Sequence, residues 1–557
     1  MQVSKQLIYQ FGGDFVIDLK DWQKSLTELK QAGITIPNYD VASVKEKGKE
    51  VPVWLHFGGG NLYRGFHAEI AQRLADKKEL AAGIVVCETF DKEIIEKAYK
   101  PFHSDVVEVV MHDDGMLDKK LLAATADAFF CHPSEKESFA QVVHYFENPS
   151  LQFTTFTITE KGYHLKDAAG KFFPVVEADI ENGLEAPQHT MSIVTALLHK
   201  RFLAGKLPIA MISTDNFSRN GKRFQDSVLT IAKCWQEKGF VSNEFLDYLT
   251  DSEKVTFPWS MIDRITPNPA KIVQAELEKL GFVDMEIIHT EKRTNIAPFV
   301  NTEVIHYLII EDHFPNGRPA LEKAGVILTS QEIVDKADVM KVTTCLNPLH
   351  TAMAITGCLL GYQSIAAEME DEEIVGLIKA IGYQEGLPVV EDPQIIDPKQ
   401  FIDEVIKKRL PNPNIPDTPQ RIASDTSQKV AIRFGETIKK YTEKSAAQSL
   451  VFIPVAIAAW LRYLLAVDDE GNEFVPSPDP LLAELQEQLA SLHLGEQSPE
   501  VIHQSVASIL ANETIFGSNL YEVGLGEKIE QIVTEMLVGP GAVRQTIRTY
   551  LTNFGGK

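Results

Sequence analysis

At 557 residues the chain exceeds what one hydrophobic core supports, since single cores stop growing at roughly 250–300 residues, so we expect two large domains. Its 44% hydrophobic, 24% charged and 9% aromatic residues match an average globular protein and exclude a disordered chain. The formal net charge of −24 argues against nucleic acid and anionic membrane surfaces as partners, and any anionic substrate must meet a local cluster of basic side chains.

The cysteines and the apolar segments indicate a reducing compartment. The five cysteines are an odd number without a C-x-x-C pair, which argues against a disulfide framework. The N-terminal segment MQVSKQLIYQFGGDF lacks the uninterrupted apolar core of a signal peptide. The most apolar run, residues 449–467, is broken by Pro454 and Arg462 and predicts a buried helix rather than a membrane span. We therefore expect a cytoplasmic protein without a membrane partner.

Four short apolar runs between about Val51 and Asp215 predict buried strands. They are VPVWLHF (51–57), GIVVCETF (83–90), LQFTTFTIT (151–159) and LPIAMIST (207–214). Each is followed by a helix-like stretch, which is typical of a parallel sheet with helical crossovers. The first half of the chain is therefore predicted to be an α/β nucleotide-binding domain.

Beyond about residue 335 the pattern becomes helical. Amphipathic stretches of helix length, such as residues 351–369 and 479–494, dominate, and strand-like runs become scarce. The proline-rich stretch 411–419, PNPNIPDTP, is predicted to be non-helical because proline lacks the amide donor and restricts its predecessor. We predict two domains, residues 1–335 and 336–557.

A glycine-rich turn follows the first predicted strand. Phe57 ends the strand, and Gly58, Gly59 and Gly60 precede the helical stretch 67–76. Glycines there let the backbone turn sharply and approach a pyrophosphate, while the free amides of the next helix offer an anion site. The context favours a dinucleotide-binding turn over a plain tight turn.

Glu88, at the end of the second predicted strand, bears on the choice of cofactor. A carboxylate there accepts hydrogen bonds from a ribose diol and repels a 2′-phosphate, so it favours NAD over NADP. Glu88 lies 28 residues after Gly60, somewhat farther than the usual ~20. The alternative is a solvated acidic strand end.

Six ordered motifs resemble the long-chain mannitol dehydrogenase family. They are GGGNLYRGF (58–66), TFTITEKGYHL (155–165), STDNFSRNG (213–221), FPWSMIDRITP (257–267), LNPLHTAMAITGCLLGY (346–362) and RIASDTSQK (421–429). The resemblance implies an α/β, Rossmann-like dinucleotide-binding N-terminal domain, a mainly α-helical C-terminal domain, and an active site between them. It also implies NAD(H) as cofactor, a small-molecule substrate and no catalytic metal; no His or Cys cluster has zinc spacing.

The resemblance assigns cofactor and catalytic residues. The predicted cofactor-binding residues are Phe57, Gly58, Gly59, Gly60, Asn61, Leu62, Arg64, Glu88, Thr159 and Glu160. In this family a lysine acts as general acid/base, and asparagine and histidine side chains polarise the reacting oxygen. Asn216 in TDN, and Asn347 with His350 in N-x-x-H, match these polarising groups. Asn347 and His350 share a helix face and could donate to one alkoxide, although a helix-start asparagine is often only a cap and a lone histidine structural.

The general acid/base is assigned to Lys341. The family places its lysine five residues before the asparagine, where this chain has Val342, and Lys341 lies one residue earlier. A one-residue insertion or bulge, absorbed by residues 343–345, would still direct Lys341 to the site. Lys161 and Lys429 are the alternative bases.

Arg421 and Lys429 are the predicted substrate-binding cations. They are eight residues apart, as in relatives that present basic groups to distal substrate hydroxyls or a carboxylate. A planar guanidinium suits a carboxylate bidentately, although salt bridges to surface acids would use the same residues. Asp263 and Arg264 also match the family, and Asp263 is predicted to contact substrate.

The turn sequence is closer to hexuronate reductases than to mannitol dehydrogenases. We therefore expect NAD-dependent reduction of a keto-hexuronate to a hexonate, with the D-fructuronate and D-mannonate pair favoured. The tagaturonate and altronate pair and mannitol 2-dehydrogenation are the alternatives within the family. A sugar epimerase that retains its nucleotide is a competing enzyme class, and an NAD-responsive scaffold would leave residues 216, 347 and 350 structural. The sequence leaves the oligomeric state open between monomer and dimer.

Overall fold

The computed structural model describes residues 16–167 and 169–555. The chain divides into two compact units, one ending at Asp335 and the other beginning at Lys336, inside a helix that spans Gln331–Met340. The first unit is α/β and the second is mainly helical. This is the predicted fold class.

The first unit contains fifteen strands among its described residues. They are β1 (Ile34–Thr35), β2 (Trp54–Phe57), β3 (Ile84–Glu88), β4 (Val106–Met111), β5 (Leu117–Leu122), β6 (Thr125–Phe130), β7 (Phe153–Phe156), β8 (Ile209–Ser213), β9 (Val255–Thr256), β10 (Ser260–Asp263), β11 (Ile288–His289), β12 (Asn295–Ile296), β13 (Phe299–Glu303), β14 (Tyr307–Glu311) and β15 (Ile327–Thr329).

The α-helices of the first unit connect these strands. They are α1 (Leu26–Gln31), α2 (Val41–Glu50), α3 (Ala68–Asp76), α4 (Lys92–Ile94), α5 (Lys136–Glu147), α6 (Pro174–Asn182), α7 (Thr190–Leu203), α8 (Asn220–Glu237), α9 (Asn243–Thr250) and α10 (Lys271–Lys279), followed by α11 (Gln331–Met340) at the boundary. Tyr63–His67 and Ile95–Tyr99 are π-helical turns, and 3₁₀ turns cover Leu19–Ser25, Lys100–Phe102, Glu160–Tyr163 and Leu321–Ala324.

A wholly parallel six-stranded sheet carries the four predicted strands. Its order is β6-β3-β2-β7-β8-β9, and every neighbouring pair is parallel. Counted along the chain this is the order 3-2-1-4-5-6 of Rossmann dinucleotide-binding folds. The predicted runs 51–57, 83–90, 151–159 and 207–214 form β2, β3, β7 and β8, so these strand predictions are confirmed.

The strands are buried on both faces because successive side chains enter different cores. Leu55, Val85 and Met211 pack into one hydrophobic cluster, while their neighbours Val86 and Ala210 pack into a second. This is why the strands are continuously apolar rather than alternating.

Three smaller sheets of the first unit were not predicted. Their orders are β1-β5-β4-β13, β10-β14-β15 and β11-β12, and parallel and antiparallel pairs are mixed. Several of these strands are only two or three residues long, too short to produce a periodic hydrophobic signal.

Arg264 is a buried charge that joins these elements. Its guanidinium donates to Glu69 (3.0 Å), Glu108 (3.1 Å) and the Thr302 hydroxyl (2.7 Å). Burial alone would raise the pKa of Glu69, but Arg264, Arg73 and Lys120 outweigh it and lower that pKa. The Arg264 side chain is 1% exposed, so it is a structural cation in the core of the first unit.

The second unit contains helices α12–α23 among its described residues. They are α12 (Asn347–Leu359), α13 (Ile365–Glu368), α14 (Glu372–Lys379), α15 (Pro398–Glu404), α16 (Pro419–Ile422), α17 (Glu436–Glu443), α18 (Phe452–Leu464), α19 (Leu482–Gln488), α20 (Pro499–Leu510), α21 (Glu513–Phe516), α22 (Gly526–Leu537) and α23 (Ala542–Phe554). The π-helical turns Lys341–Cys345, Ala380–Gly386, Val405–Arg409 and Ala431–Gly435 and the 3₁₀ turns Leu387–Val389, Thr426–Gln428 and Ala447–Ser449 complete it.

Helix α18 is the predicted buried helix within residues 449–467. Every residue from Phe452 to Leu464 is buried. The Glu385 carboxylate accepts hydrogen bonds from the first amides of the helix, at Phe452 (2.8 Å) and Ile453 (2.7 Å). A carboxylate at a helix N-terminus satisfies amides that have no partner within the helix.

The proline-rich stretch departs from its prediction at one end. Residues 411–418 are irregular, as expected, but Pro419 is the first residue of α16. Proline is favoured at that position because its fixed φ suits a helix and its missing amide would have no partner there. The prediction of a non-helical stretch therefore fails at Pro419.

Glu368 is a fully buried carboxyl group in the second unit. A Cβ on Gly357 of α12 would lie 1.8 Å from Glu368 Oε1, so only glycine allows this approach. Neither carboxyl oxygen has a hydrogen-bond partner within residues 16–167 and 169–555. Burial, followed by the charges of Asp417 and Asp371, raises the pKa of Glu368 to about 9.

Replacing Arg264 with methionine should destabilise the first unit. The change leaves Glu69 and Glu108 buried without the Arg264 cation that lies between them, which costs about 3–5 kcal/mol. Urea unfolding followed by far-UV circular dichroism measures the loss. R318M is the matched control, because Arg318 pairs with the more exposed acids Asp312 and Glu322 and should cost less than about 1 kcal/mol. Equal losses in both variants would contradict the structural role of Arg264.

E368Q should stabilise the protein more at pH 8.5 than at pH 5.5. Glu368 is protonated when folded and ionised when unfolded above about pH 4.5, so its favourable contribution is complete below that pH and is lost as the pH rises towards about 9. Gln cannot ionise and escapes this loss. The difference in Tm between variant and wild type is measured at both pH values, with E372Q on exposed Glu372 as control. A difference that does not depend on pH would be inconsistent with a protonated Glu368.

Candidate active site

The glycine turn after β2 has the conformation that its sequence predicts. Gly58 has a φ of +106°, and a Cβ there would lie 2.2 Å from the Thr157 carbonyl oxygen. A Cβ on Gly60 would meet nothing within 4 Å, so this side of the turn is open. The turn follows Phe57 directly and precedes a helix, which is the geometry that lets a backbone approach a phosphate.

Glu88 anchors this turn to the end of β3. Its carboxylate accepts hydrogen bonds from the amides of Gly59 (2.6 Å), Phe90 (2.7 Å) and Asp91 (3.1 Å), and the residue is 4% exposed. Burial raises the pKa of Glu88. It is therefore not a solvated strand end. The predicted ribose contact stays a prediction and must use lone pairs that the three amides leave available.

Arg64 is a buried cation in the helix that follows the turn. None of its three guanidinium nitrogens has a hydrogen-bond partner among the described residues, and burial lowers its pKa to about 10. The ring of Tyr99 lies 5.6 Å from the guanidinium, and its hydroxyl donates to the Gly59 carbonyl (2.8 Å). Tyr99 therefore links the Arg64 guanidinium to the glycine turn, and a buried cation near such a turn compensates the charge of a bound anion.

Asn61 and Leu62 begin the same helix. Both are partly buried. The Asn61 amide nitrogen donates to the Asn295 carbonyl (3.0 Å), while its amide oxygen is buried without a partner in the described part of the chain. The hydrogen bond to Asn295 fixes the start of the helix beside Gly60.

The carboxyl ends of β7 and β8 carry the other predicted residues of the first unit. Asp215 accepts from the amides of Ile158 and Thr159 (both 2.9 Å) and from the Tyr163 hydroxyl (2.8 Å). Burial raises the pKa of Asp215 to about 6. Thr159 has a φ of +65°, a strained conformation for a β-branched residue of the kind found at functional sites. Asp215 was missed in the sequence analysis, although it immediately precedes Asn216.

Asn216, Glu160 and Lys161 are exposed at this edge of the sheet. Arg223 contacts both Glu160 and the His164 ring, and these residues line a cavity of about 710 Å³. The predicted cofactor residues after β2, β3 and β7 and the predicted Asn216 after β8 thus share one sheet edge.

Asp263 ends β10 and is 7% exposed. Its neighbour Arg264 belongs to the ion cluster in the core of the first unit. The substrate contact of Asp263 stays a prediction.

Lys341 begins the π-helical turn Lys341–Cys345 that separates α11 from α12. A π turn accommodates one extra residue within a helix and is frequent at functional sites. The turn lies where the spacing predicts a bulge. The Lys341 side chain is 2% exposed, and its Nζ lies 3.4 Å from Asp338 Oδ1.

Asn347 and His350 lie on the first turn of α12. Nε2 of His350 is buried without a hydrogen-bond partner among the described residues, and the nearest acid, Asp417, is 3.7 Å away. Burial lowers the pKa of His350 to about 4, opposed by Asp417 and assisted by nearby arginines. The ring is therefore neutral at neutral pH.

Arg421 and Lys429 lie in the segment that follows the proline-rich stretch. Arg421 is exposed and donates bidentately to Asp417, through Nε (2.7 Å) and Nη2 (2.7 Å). Lys429 donates to the Ser424 carbonyl, and burial lowers its pKa.

Two polar residues of this region were missed in the sequence analysis. Asp417 is four residues before Arg421, and Arg433 is four residues after Lys429. Arg433 donates to the Thr351 hydroxyl, next to His350, and burial lowers its pKa to about 10. Asp417 lies in the irregular stretch before α16, so its separation of four from Arg421 does not by itself predict a contact.

Some features of the described residues lie apart from these groups. A cavity of about 1100 Å³ adjoins α22 and α23, and no predicted site residue lines it. Over residues 16–167 and 169–555 no cluster of three or more His, Cys, Asp or Glu side chains is arranged to hold a metal ion. Over the same ranges, the helices are too short or too polar to cross a bilayer.

Comparisons with known proteins agree over both units. Residues 53–323 match the model of the mannitol dehydrogenase Rossmann domain, and residues 334–537 match that of the mannitol dehydrogenase C-terminal domain. The chain is 50% identical over 522 residues to D-mannonate oxidoreductase of Thermotoga maritima, covering 93% of this chain and 96% of that protein. It is 27% identical to polyol:NADP oxidoreductase of Gluconobacter oxydans, covering 82% and 88%.

Two solved structures share the fold. A substrate-free D-sorbitol dehydrogenase has a TM-score of 0.77 at 24% identity, and mannitol 2-dehydrogenase of Pseudomonas fluorescens has 0.70 at 23% identity. Each match covers 96% of this chain and 100% of the other. The chain therefore belongs to the mannitol dehydrogenase family of oxidoreductases.

Proposed function

We propose that this protein is an NAD-dependent reductase of a keto-hexuronate, with D-fructuronate and D-mannonate as its substrate pair. The observation that carries the proposal is the 50% identity, over 93% of the chain, to a protein named D-mannonate oxidoreductase. The basic residues Arg421, Lys429 and Arg433 support it, because a chain of net charge −24 needs a local cationic site for an anionic substrate.

The residues at the glycine turn fit NAD(H). Gly58 permits the tight turn, Gly60 leaves its outer side open, and the buried Arg64 guanidinium supplies positive charge without a counter-ion among the described residues. Phe57, Gly59, Asn61, Leu62, Glu88, Thr159 and Glu160 complete the proposed cofactor site. When bound, the reduced nicotinamide supplies the hydride to the keto carbon.

Lys341 is the proposed proton donor for reduction. As the carbonyl carbon is reduced, its oxygen becomes an alkoxide, and Lys341 Nζ donates the proton that completes the secondary alcohol. The lysine then regains a proton from solvent. In the opposite direction the neutral amine accepts the alcohol proton.

Asn216, Asn347 and His350 are the proposed groups around the reacting oxygen. The asparagine amides are hydrogen-bond donors, and a neutral histidine ring donates from one nitrogen only. Since Asp417 lies 3.7 Å from Nε2 of His350, it favours a proton on that nitrogen, and the ring donates to the reacting oxygen from Nδ1 only when both nitrogens are protonated. Arg421, Lys429 and Asp263 are assigned to the distal carboxylate and hydroxyls of the substrate.

The proposal includes a cytoplasmic location, a small-molecule substrate, and no nucleic-acid or membrane partner. It applies equally to a monomer and a dimer.

Substrate preference tests the proposal directly. NADH oxidation is followed by absorbance with fructuronate, tagaturonate, fructose and fructose 6-phosphate, and repeated with NADPH. We expect fructuronate with NADH to give the highest kcat/KM, because the carboxylate finds a cationic site and Glu88 disfavours a 2′-phosphate. Preference for fructose would reassign Arg421 and Lys429 to hydroxyl binding, and preference for tagaturonate would change the substrate.

K341A should lower kcat by about 10²–10⁴, the usual contribution of general acid/base catalysis. NADH binding, measured by fluorescence, should remain close to wild type, because Lys341 lies in the second unit and not at the glycine turn. K336A on the preceding helix is the control and should retain full turnover. If K341A turned over within about threefold of wild type, Lys341 would not be the general acid/base.

A further inference from the structure

Asp417 lies between two residues of the proposed site. Its carboxylate accepts both hydrogen bonds of the Arg421 fork at 2.7 Å, and its Oδ2 lies 3.7 Å from His350 Nε2. The first contact is a complete bidentate ion pair, and the second is too long for a hydrogen bond. The Asp417 carboxylate is therefore adjacent both to the Arg421 guanidinium and to the His350 ring.

Asp417 is fixed, whereas Arg421 is the movable partner. Oδ1 of Asp417 also accepts from the Thr418 amide (2.8 Å), and the main-chain oxygen accepts from the Ile365 amide (3.0 Å). Only 8% of the Asp417 side chain is exposed, compared with 68% of that of Arg421. A long exposed side chain can exchange a buried carboxylate for one on a ligand.

His350 lacks the partner that would orient it. Its buried Nε2 has no hydrogen bond in the described part of the chain. Arg433, Arg421 and Arg409 disfavour a charge on the ring, and Asp417 is the acid that opposes them. Asp417 also faces Glu368, whose carboxyl group is protonated at neutral pH and adds no charge there.

We propose that Asp417 is a positioning residue shared between Arg421 and His350, which a substrate carboxylate releases from Arg421 to orient the His350 ring. The inference rests on the proposed function. Two carboxylates compete for one guanidinium fork, so binding the anionic end of the substrate leaves Asp417 with an uncompensated charge beside Nε2. That charge stabilises a proton on Nε2, and the doubly protonated ring donates from Nδ1 to the reacting oxygen. The two hydrogen bonds of the Arg421 fork pass from Asp417 to the substrate carboxylate, the ring takes up one proton from solvent, and no covalent bond between heavy atoms changes.

This arrangement makes Asp417 a determinant of specificity. A ketose without a carboxylate leaves the Arg421–Asp417 pair closed and His350 without its partner. A keto-hexuronate opens the pair as it binds. A substrate with a carboxylate should therefore have both a higher kcat and a lower KM than a ketose without one.

D417N tests the inference. Asparagine keeps the shape and can still accept from Thr418, but it carries no charge for His350. With fructuronate we expect kcat to fall about tenfold or more while KM falls about threefold, because a competing negative charge is removed. Steady-state NADH oxidation measures both constants. A merely structural role would not lower both together.

R421Q provides an independent variant in case D417N does not fold. It frees Asp417 permanently, so kcat on fructose should rise by about threefold or more, while KM for fructuronate rises about tenfold. D403N is the matched control, since Asp403 also pairs with a basic residue four positions away, Lys407, and should leave both constants unchanged.

The outcomes separate the inference from the proposed function. Absence of fructuronate turnover in wild type overturns the proposed function and the inference with it. If the wild type turns over fructuronate but D417N has an unchanged kcat, the inference alone is overturned. A D417N variant in which kcat falls while KM rises also overturns the inference alone. A loss of kcat on fructose in R421Q also overturns it.

Discussion

In the first unit, the position of β2 between β3 and β7 in a wholly parallel sheet determines where the predicted cofactor residues lie. Parallel neighbours end at the same edge, so the glycine turn after β2, Glu88 at the end of β3 and Thr159 after β7 are brought together there. Two carboxylates anchor the loops at this edge. Glu88 accepts a hydrogen bond from the Gly59 amide of the glycine turn, and Asp215 accepts one from the Thr159 amide of the loop after β7. These buried acids shape the site before any ligand contributes.

In the second unit, a local change of helical geometry has a comparable role. The π turn at residues 341–345 absorbs one residue between α11 and α12, and it sets Lys341 at its start and Asn347 just beyond its end. Further along, Asp417 and Arg421 are four residues apart and meet as an ion pair. Contacts between residues close in the chain therefore organise the polar groups here, and the described residues of this unit form no sheet.

Burial controls the charge state of several ionisable side chains in both units. It lowers the pKa of His350 to about 4 and raises that of Glu368 to about 9, so both are neutral at neutral pH. It also leaves Arg64 as a cation without an anionic partner in the described residues.

The sequence by itself determined the four central strands, the glycine turn, the helical second half and the family. The strands and helices follow from local hydrophobic periodicity, and the turn and the family follow from short motifs that can be read along the chain. It also indicated a bulge after Lys341. Only the tertiary structure decided the small mixed sheets, the ion cluster around Arg264, the anchoring of Glu88 and the pairing of Asp417 with Arg421. The strands of the small sheets are too short to give a period, and the partners of a buried charge are selected by packing rather than by separation along the chain.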